Sequence, residues 1–356
     1  GVAARFPRDL RNGHLVRKDK GVNLEEQSNH DRPRGDARRI APVVVGTYCG
    51  ILSAVAYTAA NASLRAVSDC DPVWVSCVKA FPTVALVGPW LIVRMARSQT
   101  IVRSLRPLGW LVAAGLVGQL AGNVLFQWTL GVIGMALAVP INLGSMILSG
   151  ALVGYFFLKE SVPGRTVVAL AVLLGSIGVL SWGAPTAGGT VAAIGDGVPA
   201  STWGLAAAVA ACCSGIAYSA LGVSIRHACN EGTPATTVVT LVCSVGVVGL
   251  GAMSVAKIGT DAMWATDQAD LAMMLLAGVC NAVAFVSLTK ALQLTGIVHV
   301  NGLNASQTAM AALVGILLFH EPVTAALIVG VCLTVAGLLL MVGPRGRWGK
   351  MGSELE

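Results

Sequence analysis

Apolar residues in this chain neither alternate nor trace one stripe of a helix. They run on for about twenty positions, stop at a short polar break, and run on again. Ten such stretches follow one another, at 43–64, 72–93, 108–129, 134–157, 165–183, 203–225, 236–256, 270–289, 297–319 and 323–342. About 20 predominantly apolar residues are what a helix needs to cross the hydrocarbon of a bilayer, and a helix satisfies its own backbone there. One stretch alone, Thr166 to Trp182 for example, would pass as a buried helix of a soluble protein. Ten in series do not, so the pattern predicts an all-α integral membrane protein of ten transmembrane helices.

Composition agrees with the pattern. The chain is 55% hydrophobic and 12% charged, with a mean hydropathy of +0.75, whereas ordinary soluble domains are about a quarter charged. Most of the charge lies outside the apolar stretches: residues 1–39 hold ten Lys/Arg and six Asp/Glu, and the tail at 343–356 adds three basic and two acidic residues. The first tail reads as disordered and basic, drawn to anionic headgroups, and it lacks the aromatic interleaving of a nucleic-acid binder. It has no apolar signal-peptide core either, so the first helix is expected to act as its own insertion signal. With the N-terminus cytoplasmic, eleven Lys and Arg fall in the inner loops and C-terminal tail and two, Arg65 and Lys257, fall outside. That bias predicts both termini on the cytoplasmic side of an inner membrane. Trp74, Trp90, Trp110, Trp128, Trp182 and Trp203 fall at or near segment ends, as expected of rings that favour the headgroup layer.

The breaks between stretches hold a second pattern. ALVGYFFLKE (151–160) returns as ALVGILLFHE (312–321), and at the same offset of 161 SAVAYTAANASLR (53–65) faces SGIAYSALGVSIR (214–226). One shift aligns both ends of a half, so the chain reads as two repeats of five helices, 43–183 and 203–342. Five is odd, and the second repeat must therefore enter the membrane upside down. Inverted repeats are the architecture by which secondary carriers alternate access around a site near the midplane.

The paired five-helix halves, each with a small-residue fourth helix ending in Glu (LKE at 158–160, FHE at 319–321) and a Gly-rich fifth (Gly175 and Gly178; Gly330 and Gly337), resemble the EamA-type carriers of the drug/metabolite transporter superfamily. The resemblance covers residues 43–342. It implies a ten-helix carrier, usually an exporter of metabolites or drugs, with a central cavity lined mainly by the third and fourth helices of each half, helped by the first and second. The second helix of that family often carries Arg; here Lys79 stands in the first half and Thr240 in the second. The small multidrug-resistance carriers, distant relatives, depend on a glutamate inside the first helix, and neither helix one nor helix six here holds an acid.

Polar side chains inside apolar helices are costly and normally face the bundle interior or a wet cavity. The candidates for substrate binding are Tyr57, Lys79, Asn123 and Asn142 in the first half and Tyr218, Asn281, Asn301, Asn304 and Gln307 in the second; Gln127 is a further amide within a span. Lys79 is the one charge deep within a span, which favours an anionic or zwitterionic solute, and it could also carry a coupling proton. Pro82 and Pro140 each remove a helix hydrogen bond and are expected to kink helices two and four beside Lys79 and Asn142. Glu160 and Glu321 are read as anchors for the starts of helices five and ten, where N–H groups and the dipole favour negative charge, with a gating role as the alternative. The spacings Gly150-x-x-x-Gly154 and Ala311-x-x-x-Gly315 favour close helix packing and leave a homodimer open.

The expected function is a secondary carrier, an exporter of a small polar metabolite. A multidrug efflux carrier, a non-transporting scaffold or receptor, and a membrane-embedded enzyme are the alternatives. His299 and His320 stand at opposite ends of helix nine, so no catalytic cluster is visible. No cofactor is expected, since the nine cysteines have no metal spacing and no nucleotide-binding loop is present.

Overall fold

Long uncharged runs of Ala, Val, Leu and Gly leave the backbone no partner in lipid but itself, and every element follows from that. The computed structural model describes residues 34–97, 106–158, 164–187, 200–294 and 297–342. Among them there is no strand. In chain order the helices are α1 (Arg34–Ala66), α2 (Pro72–Ala96), α3 (Arg106–Val117), a π-helical turn (Gly118–Asn123), α4 (Val124–Ile133), α5 (Met135–Leu158), α6 (Gly164–Ala187), α7 (Ala200–Asn230), α8 (Ala235–Trp264), α9 (Gln268–Leu294), α10 (Ile297–Phe319) and α11 (Ala325–Val342). The chain divides into two units, Gly1–Ala41 and Pro42–Glu356. Of the first, only the helical residues 34–41 are described; everything below concerns the second.

Each of the ten apolar stretches falls within a helix to within two residues, the third being α3, the π-turn and α4 in direct succession. Seven helical runs among the described residues are long and apolar enough to cross a membrane: Pro72–Val93, Gly109–Ile133, Met135–Val153, Gly164–Gly183, Ser201–Cys229, Thr236–Trp264 and Gln268–Ala291. Ser306–Phe319 and Ala325–Leu340 are shorter apolar helices. Several of these helices are longer than the apolar run they contain. α8 continues to Trp264 through Gly259, whose φ of 79° breaks the helical geometry once, because hydropathy marks the edge of the bilayer rather than the end of the helix.

The principal helix contacts are α6 with α11, α2 with α8 and α9, α5 with α7, and α10 with α11. The main core lies where α4 and α5 meet α7, with Leu130, Met135 and Ile141 fully buried. The tryptophans divide. Trp90, Trp110 and Trp182 are exposed, as a headgroup belt requires, but Trp128 and Trp203 pack edge to face with ring centroids 6.2 Å apart, and Trp74 donates Nε1–H to Thr266 Oγ1 at 3.0 Å. These three also have specific partners within the bundle, each other or a polar neighbour. All nine cysteines are free.

Candidate functional site

Three helices carry polar residues at helical spacing, and the fold turns these stripes toward one another. On α2, Ser76, Lys79 and Thr83 lie on one face and are all buried; through the π-turn and α4, Gln119, Asn123 and Gln127 recur every fourth residue and are also buried. On α7 the matching positions are Ser214 and Tyr218. An i→i+5 bonded turn winds more loosely than α-helix, and here it presents Gln119 and Asn123 together.

Asn123 is the centre of the cluster. Lys79 Nζ donates to its Oδ1 at 2.6 Å, and Tyr218 Oη donates to the same oxygen at 2.5 Å. Asn123 Nδ2 in turn donates to Gln119 Oε1, and Gln119 Nε2 reaches the carbonyl of Val242 on α8 at 3.4 Å. Two glycines make the room. A Cβ on Gly122 would sit 2.9 Å from the Tyr218 ring, and one on Gly246 of α8 would sit 2.7 Å from the Gln119 side chain. The contributing groups come from both halves of the sequence: α2 and the π-turn from the N-terminal half, α7 and α8 from the C-terminal half.

Among the described residues no carboxylate pairs with Lys79; the ion pairs there are Arg65–Glu321 and Lys257–Asp71. Lys79 is 7% exposed, and an ammonium has three N–H donors, of which the acceptor on Asn123 takes one. The cluster therefore holds one positive charge and more donors than acceptors. Its natural complement is a negatively charged acceptor.

The other expected site residues are distributed as follows. Asn142 on α5 joins the cluster through one intermediary: its Nδ2 donates to Ser214 Oγ at 2.8 Å, and Ser214 donates to the carbonyl of Gly122 at 2.7 Å. Tyr57 on α1 lies within electrostatic reach of Tyr218 and Cys243. Gln127 donates to the carbonyl of Leu64 at 2.9 Å, tying α4 to α1. Gln307 is buried on α10 and Asn281 half-buried on α9. Asn301 and Asn304 stand on α10 with side chains outside the described residues, and Glu160 lies outside them altogether. Gln119 is the member that the sequence did not single out; its spacing of four from Asn123 was the available signal. Thr240, the counterpart of Lys79, bonds the carbonyl of Thr236 within its own helix.

α2 runs as one helix through Pro82, and α5 through Pro140. Gly278 of α9 packs so closely on Pro82 that a Cβ there would lie 2.5 Å from the Lys79 carbonyl oxygen, and Gly215 of α7 approaches the Asn142 carbonyl oxygen in the same way. The backbone near both prolines is thus covered by a neighbouring helix. Two clefts of about 300 and 340 Å³ lie away from the cluster, one against Gly175, Gly178 and Trp182, the other beside Cys70, Asp71 and Asp270.

Glu321 does act at a helix start, but at that of α5 rather than that of α11. Its Oε1 accepts from Met135 N–H and its Oε2 from Ala136 N–H, each at 2.7 Å, and Arg65 Nε donates to Oε1 at 3.2 Å. Arg65 is held by Ser68 Oγ at 2.8 Å and stacks 5.6 Å above the Phe319 ring. Nearby, Asp71 caps α2 through the N–H groups of Val73 and Trp74 and pairs with Lys257 at 2.5 Å. Cys70 donates its thiol to Asp270 at 3.5 Å; burial, with Asp270 beside it, pushes that thiol up to about 11. Of these contacts, Glu321 with α5 and Arg65, Asp71 with Lys257, and Cys70 with Asp270 join the N-terminal helices α1–α5 to the C-terminal helices α8–α11.

Residues 205–343 match the model of the EamA-like transporter family. A solved structure described only as "Crystal structure of protein" is 14% identical, with a TM-score of 0.53 over 85% of this chain and 97% of its own, a likeness of fold alone. No curated protein matches the sequence. The chain is an integral multi-pass membrane protein, and the likeness to EamA-like transporters lies in its residues 205–343.

Proposed function

We propose that the chain is a secondary active carrier that exports a small polar metabolite, anionic or zwitterionic, by alternating access between two inverted five-helix repeats. The observation that carries this reading is the Lys79 cluster: a buried cation without a described carboxylate partner, surrounded by donors from both repeats. A charge deep in an apolar bundle needs a partner, and a bound anion supplies one. Drawing the site from both repeats is what alternating access requires, since relative motion of the halves then opens it to either side. Helix pairing supports the repeat: α2 with α8 and α6 with α11 are sequence counterparts packed against each other. Under this reading residues 43–183 and 203–342 are the repeats, Asn142 and Tyr57 flank the cluster, and the termini are cytoplasmic.

The test is ligand-induced thermal stabilisation of the purified protein with a panel of anionic, zwitterionic, neutral and cationic metabolites. Anionic or zwitterionic solutes should raise the melting temperature of the parent and leave Lys79→Ala unmoved. Stabilisation by lipophilic cations, undiminished in Lys79→Ala, would replace this reading with a multidrug efflux carrier.

A further inference from the structure

We propose that Glu321, Arg65 and the start of α5 form a latch that holds this end of the bundle closed and releases when that end opens to admit or discharge substrate. The inference rests on the alternating-access reading above.

The contact is built for a carboxylate. Met135 and Ala136 belong to the first turn of α5, whose N–H groups have no partner within their own helix, and the dipole there favours negative charge. Glu321 supplies it from the break between α10 and α11, where His320 takes a φ of 52° and the Glu321 N–H closes back on the carbonyl of Gly315 at 3.1 Å. On the facing side Gly134, with φ 77°, ends α4; a Cβ on it would lie 2.5 Å from the Glu321 carboxyl, and one on Gly315 would lie equally near Oε2. Glu321 and Arg65 are 7% and 13% exposed in their side chains, whereas Lys257 in the neighbouring pair is 52% exposed. A pair that open to solvent is worth little, so among these two ion pairs the closure rests on Glu321.

Three features make the contact reversible rather than a fixed weld. It joins α1 and α5 of the first repeat to the α10–α11 break of the second, so motion between the repeats must break it. Glu321 sits in the break between α10 and α11 and Arg65 in the last turn of α1, where a small backbone change moves the side chain. Its backbone donors are at a helix terminus, and water can take the place of the carboxylate when the end opens. A carboxylate welded in mid-bundle would have no such exchange.

The test uses the full chain on a cysteine-free background with Asn61→Cys, a buried position one turn inward from Arg65. In detergent, the rate of its reaction with a hydrophilic maleimide reads how often this end opens, whatever the substrate. Glu321→Gln loses the charge and one acceptor, and should raise the rate on the order of tenfold, the equivalent of one charge-assisted hydrogen bond. Gly134→Ala, which leaves every charge in place but drives a methyl into the carboxyl, should act in the same direction. Reversing the pair, Arg65→Glu with Glu321→Arg, should not restore the slow rate, because a guanidinium would then face the Met135 and Ala136 N–H groups. The latch is overturned by parental rates in the folded variants, by rescue in the reversed pair, or by failure of every variant to give monodisperse protein, which would make the contact a folding weld. Raised labelling in Glu321→Gln beside unchanged metabolite stabilisation in Lys79→Ala would uphold the latch and reject the substrate site.

Discussion

Asn123 accepts two hydrogen bonds on one oxygen, from Lys79 and from Tyr218, and that sharing orders the consequences of mutation. Asn123→Leu strands both donors in a buried site and should cost about 1–3 kcal/mol of stability. Tyr218→Phe removes one donor and leaves the lysine its acceptor, so it should cost less, about 0.5–1.5 kcal/mol. Unfolding of the two purified variants followed side by side checks the order; a larger loss for Tyr218→Phe would contradict the shared acceptor. Lys79 and Asn123 were legible in the sequence because a charge or an amide inside an apolar run has few harmless places to go. Gln119 was not singled out, since an amide in a helix does not announce whether a π-turn brings it beside its neighbour. The role of Glu321 was legible in kind and wrong in address: a carboxylate before a helix suggests a local cap, and only the tertiary fold brings Met135, 186 residues away, to it.

At the scale of the element, close helix contacts decide more than prolines do. α5 and α7 touch at Gly215, where a Cβ would lie 2.5 Å from a backbone oxygen and 2.8 Å from a backbone nitrogen. Backbone cannot yield as a side-chain end can, so Gly215→Ala should destabilise by about 1–3 kcal/mol. Gly222, further along the same helix with nothing within 4 Å, is the control, and Gly222→Ala should be neutral or stabilising through helix propensity. Equal melting temperatures for the two variants would refute the tight α5–α7 contact. The sequence located every apolar stretch because the bilayer imposes a length. It could not show which glycines meet a neighbour, nor that Trp128 and Trp203 would pack edge to face, since those facts depend on how helices are paired.

For the molecule as a whole, the helix pairs α2–α8 and α6–α11 join segments that stand about 161 residues apart in the sequence, the pairing a two-fold relation between the proposed repeats would bring together. The two halves are not chemically equivalent. The first holds Lys79, Gln119 and Asn123, while the counterparts at the same offset are Thr240, Cys280 and Ala284, so under the proposed reading one cation, not a symmetric pair, sets the charge of the site. The most direct measurement of that claim is solute exchange in proteoliposomes, using the anionic and zwitterionic metabolites that stabilise the parent protein. Lys79→Ala should lower apparent affinity by about one to two decades, the worth of a charge-assisted hydrogen bond of roughly 1.5–3 kcal/mol, while Lys79→Arg, which keeps the charge and alters its shape, retains part of the flux. Exchange of every such solute by Lys79→Ala at the parental rate would contradict the account.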